Sequence, residues 1–141
     1  MTVPGGDGGD GRASAERPGP RTVLLVEDSG MVRDLAREIL VMGGYRVLEA
    51  GSAERALVVL SGHDGPIDAL VTDLQMPGMG GRELADRLRA ERPGLSVVFI
   101  SGFTEAAARV SGALGPGESF LEKPFSPMAL IRRVREATGE K

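Results

Sequence analysis

From Thr22 onward, short apolar runs rich in β-branched residues alternate with longer segments whose apolar residues recur at helical spacing. Five such runs predict five strands, at residues 22–26, 45–49, 67–72, 95–100 and 119–122. Strands that alternate with helices form parallel sheets, because each return to the sheet is a right-handed crossover through a helix. The pattern therefore predicts an α/β domain in which helices cover both faces of one parallel sheet.

The segments after the strands predict five helices, at 30–42, after Ser52, at 81–91, at 104–114 and from Pro127. Ser52 and Ser126 are suitable N-caps because a serine hydroxyl can accept the free amide hydrogens of a first helical turn. In the first helix, we expect one apolar face to be buried, made of Val32, Leu35, Ala36, Ile39 and Leu40. The arginines of the first helix are expected to lie away from this face, and those of the last helix are expected to face solvent.

Composition narrows the possible chemistry of these 141 residues. There is no cysteine and a single histidine, His63, which excludes disulfides, thiol catalysis and metal sites built on cysteine or several histidines. A net charge of −3 and few aromatic residues argue against a nucleic-acid surface. Since no secretory signal or membrane-spanning run is visible, we expect a cytoplasmic protein without membrane insertion.

Residues 1–21 differ from the rest because they are rich in glycine and proline and almost free of residues that could be buried. We interpret them as a flexible tail or linker that precedes a domain at 22–141. Gly6, Gly8 and Gly11 match the spacing of a dinucleotide-binding loop, but neither a strand before them nor a helix after them is predicted. We therefore reject a dinucleotide site there.

Polar side chains follow four of the five predicted strands. Glu27 and Asp28 follow the first strand, Asp73 the third, Ser101 the fourth and Lys123 the fifth. The carboxyl ends of parallel strands share one edge of the sheet, and ligands of such folds bind outside that edge. These side chains are therefore expected to line one common site.

The charges at this edge indicate which ligand it takes. If the first and third strands are neighbours, three carboxylates crowd together, and two charges about 4 Å apart interact by about 4 kcal/mol at an effective dielectric near 20. Such a cluster must take up a proton or bind a cation, and carboxylate oxygens favour Mg²⁺. Lys123 and Ser101 add an ammonium and a hydroxyl, which suit a phosphoryl group. Without a cysteine or a histidine-activated serine, the predicted nucleophile is Asp73.

Four separated motifs in this sequence resemble the receiver domains of two-component signalling: VLLVEDS (23–29), VTDLQMPGMGG (71–81), FISG (99–102) and FLEKPF (120–125). The resemblance covers residues 22–138. It implies a flavodoxin-like, doubly wound (βα)5 fold with strand order 2-1-3-4-5. It also implies that a histidine kinase or a histidine phosphotransfer protein donates a phosphoryl group from phosphohistidine to Asp73, and that the chain is a signalling module rather than an enzyme.

The resemblance also assigns metal ligands. Asp73 is the implied phosphoacceptor and is also an implied ligand of the Mg²⁺ ion. Asp28 is the implied direct ligand, and Glu27 acts from further away or through water. The backbone carbonyl of Gln75 is the implied third protein ligand.

The remaining positions of the family pattern concern the phosphoryl group and the switch. Ser101 is the implied switch hydroxyl, and Lys123 is the implied phosphate-binding lysine, held by Pro124 through a peptide bond that the family usually keeps cis. Phe120 stands at the switch-aromatic position, where the family often has tyrosine. Phosphorylation would then change the affinity of one face for a protein partner, the face formed by the fourth helix, the fifth strand and the fifth helix. The chain is expected to be a monomer, or a weak dimer on phosphorylation.

A finer resemblance concerns the longer protein. Four segments, at 44–57, 76–95, 99–105 and 120–136, are similar to receivers fused to the C-terminus of hybrid sensor histidine kinases, although stand-alone receivers can share the pattern. The glycine-rich tail would then be the linker from the ATP-binding domain of such a kinase. The sequence identifies no downstream partner.

Two other functions remain open at this point. A protein-interaction module of the same fold could work without phosphorylation, although the intact acidic pair and lysine argue against it. A hydrolase with an aspartyl nucleophile would usually carry a second aspartate two residues after the nucleophile, where this chain has Gln75. Phe103, two residues after Ser101, is a candidate to shield the site from water.

Overall fold

The computed structural model describes residues 19–115 and 118–140, and in this part of the chain five parallel strands form one sheet. The strands are β1 (Thr22–Val26), β2 (Arg46–Ala50), β3 (Ala69–Asp73), β4 (Ser96–Ser101) and β5 (Ser119–Glu122). Their order across the sheet is β2-β1-β3-β4-β5. The expected flavodoxin-like topology is therefore confirmed, and β1 and β3 are neighbours, as the argument about crowded carboxylates requires.

Five helices connect and follow these strands: α1 (Gly30–Met42), α2 (Ala53–Ser61), α3 (Gly81–Glu91), α4 (Glu105–Val110) and α5 (Pro127–Thr138). The expected caps are present, because Ser52 accepts from the amide of Arg55 and Ser126 accepts from the amide of Ala129. The predicted bounds of α1 and α3 agree with the structure.

The sheet is buried on both faces, and alternate residues of one strand enter two different cores. Val23 and Leu25 of β1 lie in a core with α1 and α5, which contribute apolar residues that include Ala36, Leu40, Leu130 and Val134. Leu24 and Val26 point to the opposite core, with α2, α3 and α4, which contribute residues that include Ala53, Leu84, Leu88 and Ala108. This two-sided burial explains why the strands are continuous apolar runs.

Several predicted boundaries are wrong by one or two residues. The second, third and fourth strands begin later than expected, at Arg46, Ala69 and Ser96. Before β2, the amide of Tyr45 donates to the carbonyl of Leu40, so this residue closes the turn after α1. Its hydroxyl donates to Glu140 near the other end of the domain.

Two further expectations are corrected. The predicted helix 104–114 is only Glu105–Val110, because the helix ends at Ser111 and Gly112 adopts a φ of 84°. That left-handed conformation suits glycine and stops a helix. Leu35 is 52% exposed rather than buried, since the apolar face of α1 that enters the core is narrower than the sequence suggests.

At the amino-terminal side, the tail of residues 1–21 and the glycines at 6, 8 and 11 lie largely outside the described residues. Arg21, the last residue of that predicted tail, pairs with Glu140 at 3.1 Å and accepts the amide of Arg46 at its carbonyl. Across the described residues, every helix is too short or too polar to cross a lipid bilayer.

Candidate functional site

Side chains from three separate strand ends meet at the carboxyl edge of the sheet. Lys123 follows β5, and its Nζ lies 2.7 Å from Oδ2 of Asp73, the last residue of β3. The same Nζ lies 2.9 Å from Oε1 of Glu27, which follows β1. One ammonium therefore joins two carboxylates that are 46 positions apart in the chain.

A third carboxylate completes the acidic side of this site. One oxygen each from Glu27, Asp28 and Asp73 lies within 4.8 Å of the others. Glu27 and Asp73 are buried, whereas Asp28 is exposed and leaves the cluster open to solvent. Three carboxylates outnumber the single ammonium of Lys123, and their hard oxygen donors suit Mg²⁺, so the residues present fit such an ion.

The protonation of these groups reflects their burial. Burial raises the pKa of Glu27, and this effect outweighs the amide bond from Ser29 and the contact with Lys123, which both lower it. For Lys123, burial lowers the pKa, but hydrogen bonds to Asp73 and Glu27 outweigh burial, so its pKa is raised overall. Lys123 is therefore a fixed positive charge, while Glu27 is a carboxylate that lacks full compensation.

The other oxygen of Asp73 is held by the backbone. Oδ1 accepts the amide of Gln75 at 3.1 Å. Behind it, α3 begins so close to β3 that a Cβ at Gly81 would collide with the carbonyl oxygen of Asp73. The amide of Gly81 donates to the carbonyl of Leu74, which closes the loop between β3 and α3. Asp73 is thus fixed by contacts on both its side chain and its main chain.

Ser101, the last residue of β4, is fully buried beside this loop. Its Oγ donates to Oε1 of Gln75 at 3.0 Å and accepts the amide of Phe103 at 3.0 Å. The sequence indicated a role for the Gln75 carbonyl only, and the contact of its side chain with Ser101 was missed. The ring of Phe103 is 56% exposed and lies at the surface.

The two remaining residues of the predicted site lie on β5 and after it. The Lys123–Pro124 peptide bond is cis, as the resemblance implies. Phe120 is 4% exposed and packs in the core that contains Phe99, its partner on β4. Its carbonyl accepts from Nε of Arg133 at 2.9 Å, so that arginine is not simply a solvent-facing residue of α5.

A second ionic cluster lies between α3 and the segment before β5, and we call it the α3 clamp: Arg82, Arg89 and Glu118. Arg82 donates to both carboxylate oxygens of Glu118, at 2.5 and 2.8 Å, and Arg89 donates to one of them at 2.9 Å. The guanidinium of Arg82 also lies 5.0 Å from the centre of the Phe99 ring. These hydrogen bonds, above all those from Arg82, lower the pKa of Glu118 to about 2.

Sequence reasoning missed the α3 clamp. The sequence patterns predicted the third helix but assigned no partner to its arginines. Glu118 lies 36 positions from Arg82, so no local spacing could have revealed the pair.

Comparison of the sequence with known proteins identifies the family of this chain. The profile of the response regulator receiver domain matches residues 23–135. The chain is 38% identical over 118 residues to the sensor kinase CckA of Brucella abortus (strain 2308), covering 84% of this chain and 12% of that protein. It is 31% identical over 113 residues to the uncharacterized transcriptional regulatory protein YbdJ of Bacillus subtilis (strain 168), covering 80% and 48%.

A solved structure agrees with these similarities. The receiver domain of the hybrid histidine kinase CckA has a TM-score of 0.69 and 35% sequence identity, covering 83% of this chain and 98% of that domain. The chain therefore spans about half or less of the full-length relatives named here but nearly all of an isolated receiver. Receiver domains accept a phosphoryl group from histidine kinases and bind Mg²⁺ in an acidic pocket. The chain belongs to the response regulator receiver domain family, the phosphoacceptor modules of two-component signalling.

Proposed function

We propose that Asp73 is the residue that accepts the phosphoryl group. The observation that carries this proposal is the position of the Lys123 ammonium, which bridges Asp73 and Glu27 within 2.9 Å at an edge that also holds Asp28. A buried carboxylate beside a fixed cation and a metal-binding acidic pair is suited to attack a phosphorus atom. No serine or cysteine of this site has a histidine base.

In the proposed transfer, an Oδ atom of Asp73 bonds to the phosphorus of a phosphohistidine. The P–N bond breaks, its electron pair leaves with the imidazole, and the product is an acyl phosphate on Asp73. The Gln75 amide and Lys123 hold the two oxygens of the carboxylate and orient it for this attack. The domain thus assists its own phosphorylation and, with water as the nucleophile, its own dephosphorylation.

Lys123 and Ser101 respond to the new charge. A phosphoryl group brings about −1.5 to −2 charges, so the ammonium of Lys123 pairs with its oxygens instead of with the carboxylate. The Ser101 hydroxyl, which now donates to Gln75, turns to donate to the phosphoryl group. That exchange of one acceptor for another is the proposed start of the switch.

For Mg²⁺, we propose Asp28 and Asp73 as direct ligands, with Glu27 acting through water and the Gln75 carbonyl as a further ligand. The crowding of three carboxylates within 4.8 Å supports this assignment. When bound, the ion neutralises charge that develops on the phosphoryl oxygens. Burial raises the pKa of Glu27, so a nearby cation would favour its charged form.

The proposed output surface is the α4–β5–α5 face. Phe120 of β5, the proposed switch aromatic, is buried in the core. Phosphorylation is expected to change the affinity of this face for a protein partner, in a monomer or a weak dimer. We place this chain in the cytoplasm, and the proposed phosphoryl donor is a histidine kinase or a histidine phosphotransfer protein. The similarity to CckA favours a receiver that belongs to, or works with, a hybrid histidine kinase.

Phosphoramidate, which carries a transferable P–N phosphoryl group, tests the proposal directly. With Mg²⁺ present, intact-protein mass spectrometry should show one added phosphoryl group in the wild type and none in Asp73→Asn. Asp64→Asn, a change of an exposed loop aspartate, is the matched control and should be labelled like the wild type. Full labelling of Asp73→Asn would overturn the assignment.

A further inference from the structure

Arg33, in the first turn of α1, reaches back to the backbone of the acidic pair. Its Nη1 donates to the carbonyl oxygen of Glu27 at 2.9 Å. Its Nε lies 3.4 Å from Oε1 of Glu49 on β2, which holds the guanidinium from the other side. A Cβ at Gly51 would lie 3.1 Å from Nη1, so the absence of a side chain there leaves room for this arrangement.

The carbonyl that Arg33 binds belongs to the peptide group between Glu27 and Asp28. The amide of Glu27, which belongs to the peptide group between Val26 and Glu27, donates to the carbonyl oxygen of Ala50 at 3.1 Å. With Arg33 in place, both peptide groups of Glu27 are therefore fixed against the end of β2. Asp28 is exposed, and the orientation of this peptide group sets the direction in which its Cα–Cβ bond leaves the main chain.

We propose that Arg33 is a positioning residue for Mg²⁺ binding: it fixes the Glu27–Asp28 peptide group and thereby aims the Asp28 carboxylate into the pocket. This inference rests on the proposed function, since it takes Glu27, Asp28 and Asp73 as the metal site. Glu49 and Gly51 support the same contact, one by pairing with the guanidinium and one by leaving space for it.

Positioning and simple electrostatics predict opposite results when Arg33 is removed. The guanidinium is a positive charge near a cation site, so by Coulomb's law its loss should tighten Mg²⁺ binding. If Arg33 instead orients Asp28, its loss should weaken binding, as losses of groups that orient metal ligands generally do. The sign of the change in affinity therefore distinguishes the two.

The test is the Mg²⁺ dissociation constant of the unphosphorylated protein, measured by isothermal titration calorimetry or by chemical-shift titration. Arg33→Ala should bind Mg²⁺ about tenfold more weakly than the wild type. Arg37→Ala is the matched control, because Arg37 lies one turn later and pairs with the same Glu49, at 3.4 Å. Within the part of the chain that the structure describes, Arg37 makes no bond to Glu27, and its loss should leave the affinity within about twofold.

Gly51→Ala provides a second variant that keeps every charge and crowds the guanidinium, and it should also weaken Mg²⁺ binding. If Arg33→Ala does not fold, Gly51→Ala becomes the test of the role of Arg33. An unchanged Mg²⁺ affinity in a folded Gly51→Ala would then overturn the inference. Equal or tighter binding by a folded Arg33→Ala overturns the role of Arg33 alone. Absence of Mg²⁺ binding by the wild type would overturn the proposed metal site together with this inference.

Discussion

Two ionic clusters of this domain use similar groups and reach opposite electrostatic states. At the carboxyl edge of the sheet, Lys123 faces Glu27 and Asp73, with Asp28 beside them. In the α3 clamp, two guanidiniums surround the single carboxylate of Glu118. The edge cluster has too few cations for its carboxylates, whereas the carboxylate of the clamp is fully paired.

The pKa directions of the two glutamates record this difference. Burial raises the pKa of Glu27, although Lys123 lies 2.9 Å away. Hydrogen bonds from Arg82 lower the pKa of Glu118 to about 2. An ionic cluster that is already neutralised stabilises the fold, while one that still lacks positive charge can bind a cation. The number of cations relative to carboxylates therefore distinguishes the structural cluster from the functional one.

Removal of the edge cation should cause the largest loss of stability. Lys123→Met leaves the buried carboxylates of Glu27 and Asp73 without their shared ammonium, and we expect a loss of about 3 kcal/mol at pH 7.5. The loss should shrink toward acidic pH, since Glu27 then takes up a proton. Urea denaturation without Mg²⁺ at several pH values measures both effects.

The matched change in the α3 clamp is Arg89→Met. Arg82 keeps its two hydrogen bonds to Glu118, so the loss should be only about 0.5–1 kcal/mol. Equal losses in the two variants would show that the two clusters do not differ as described.

The next largest effect should be the loss of stability that the α3 clamp causes at acidic pH. The pKa of Glu118 is lowered to about 2 in the folded protein, from 4.5, so the unfolded chain binds more protons between these values. Stability should therefore fall as pH drops from 4.5 to 2. We expect Glu118 to contribute about 2 kcal/mol to this fall, less than the roughly 3 kcal/mol of the full shift, because its arginine partners are partly exposed to screening solvent.

In Glu118→Gln, the free energy of unfolding from urea denaturation should fall less between pH 4.5 and 2; we call this fall the acid limb. Glu27 changes stability with pH in the opposite direction. Because its folded pKa is raised, its contribution to stability decreases as pH rises above 4.5. Glu27→Gln should remove that second slope and keep the acid limb. A steep acid limb that persists in Glu118→Gln would contradict the role of the clamp.

Mg²⁺ should stabilise the edge cluster and leave the α3 clamp unaffected. At ten times its dissociation constant, the ion should add about 1.4 kcal/mol to the free energy of unfolding, seen as a higher melting temperature. Asp28→Asn should lose most of this gain, whereas Glu118→Gln should keep it. A gain in Asp28→Asn that matched the wild type would place the ion elsewhere.

Much of the fold could be predicted because it depends on periodic patterns. The apolar runs and helical faces indicate a parallel sheet, and the strand ends place Asp73, Ser101 and Lys123 at one edge. The predicted bounds of α1, α3, β1 and β5 agree with the structure. Errors arose where tertiary packing overrides the pattern, as at Leu35, or where a glycine conformation ends a helix early, as at Gly112.

The contacts between side chains could not be predicted in the same way. Spacing indicates that Arg82 and Arg89 share a helix, but not that both reach Glu118 in a distant segment. Likewise, the strand-end rule brings Ser101 to the edge but does not indicate that its hydroxyl binds the Gln75 side chain. Such contacts depend on rotamers and loop paths, which the sequence pattern does not specify.

The close approach of Gly81 to the Asp73 carbonyl has a consequence for how this domain can change over generations. Position 81 contacts neither a phosphate nor a metal ion in our proposal, yet even alanine there would have to push the start of a helix away from the reactive strand. Natural variation and directed evolution should therefore retain glycine at this position.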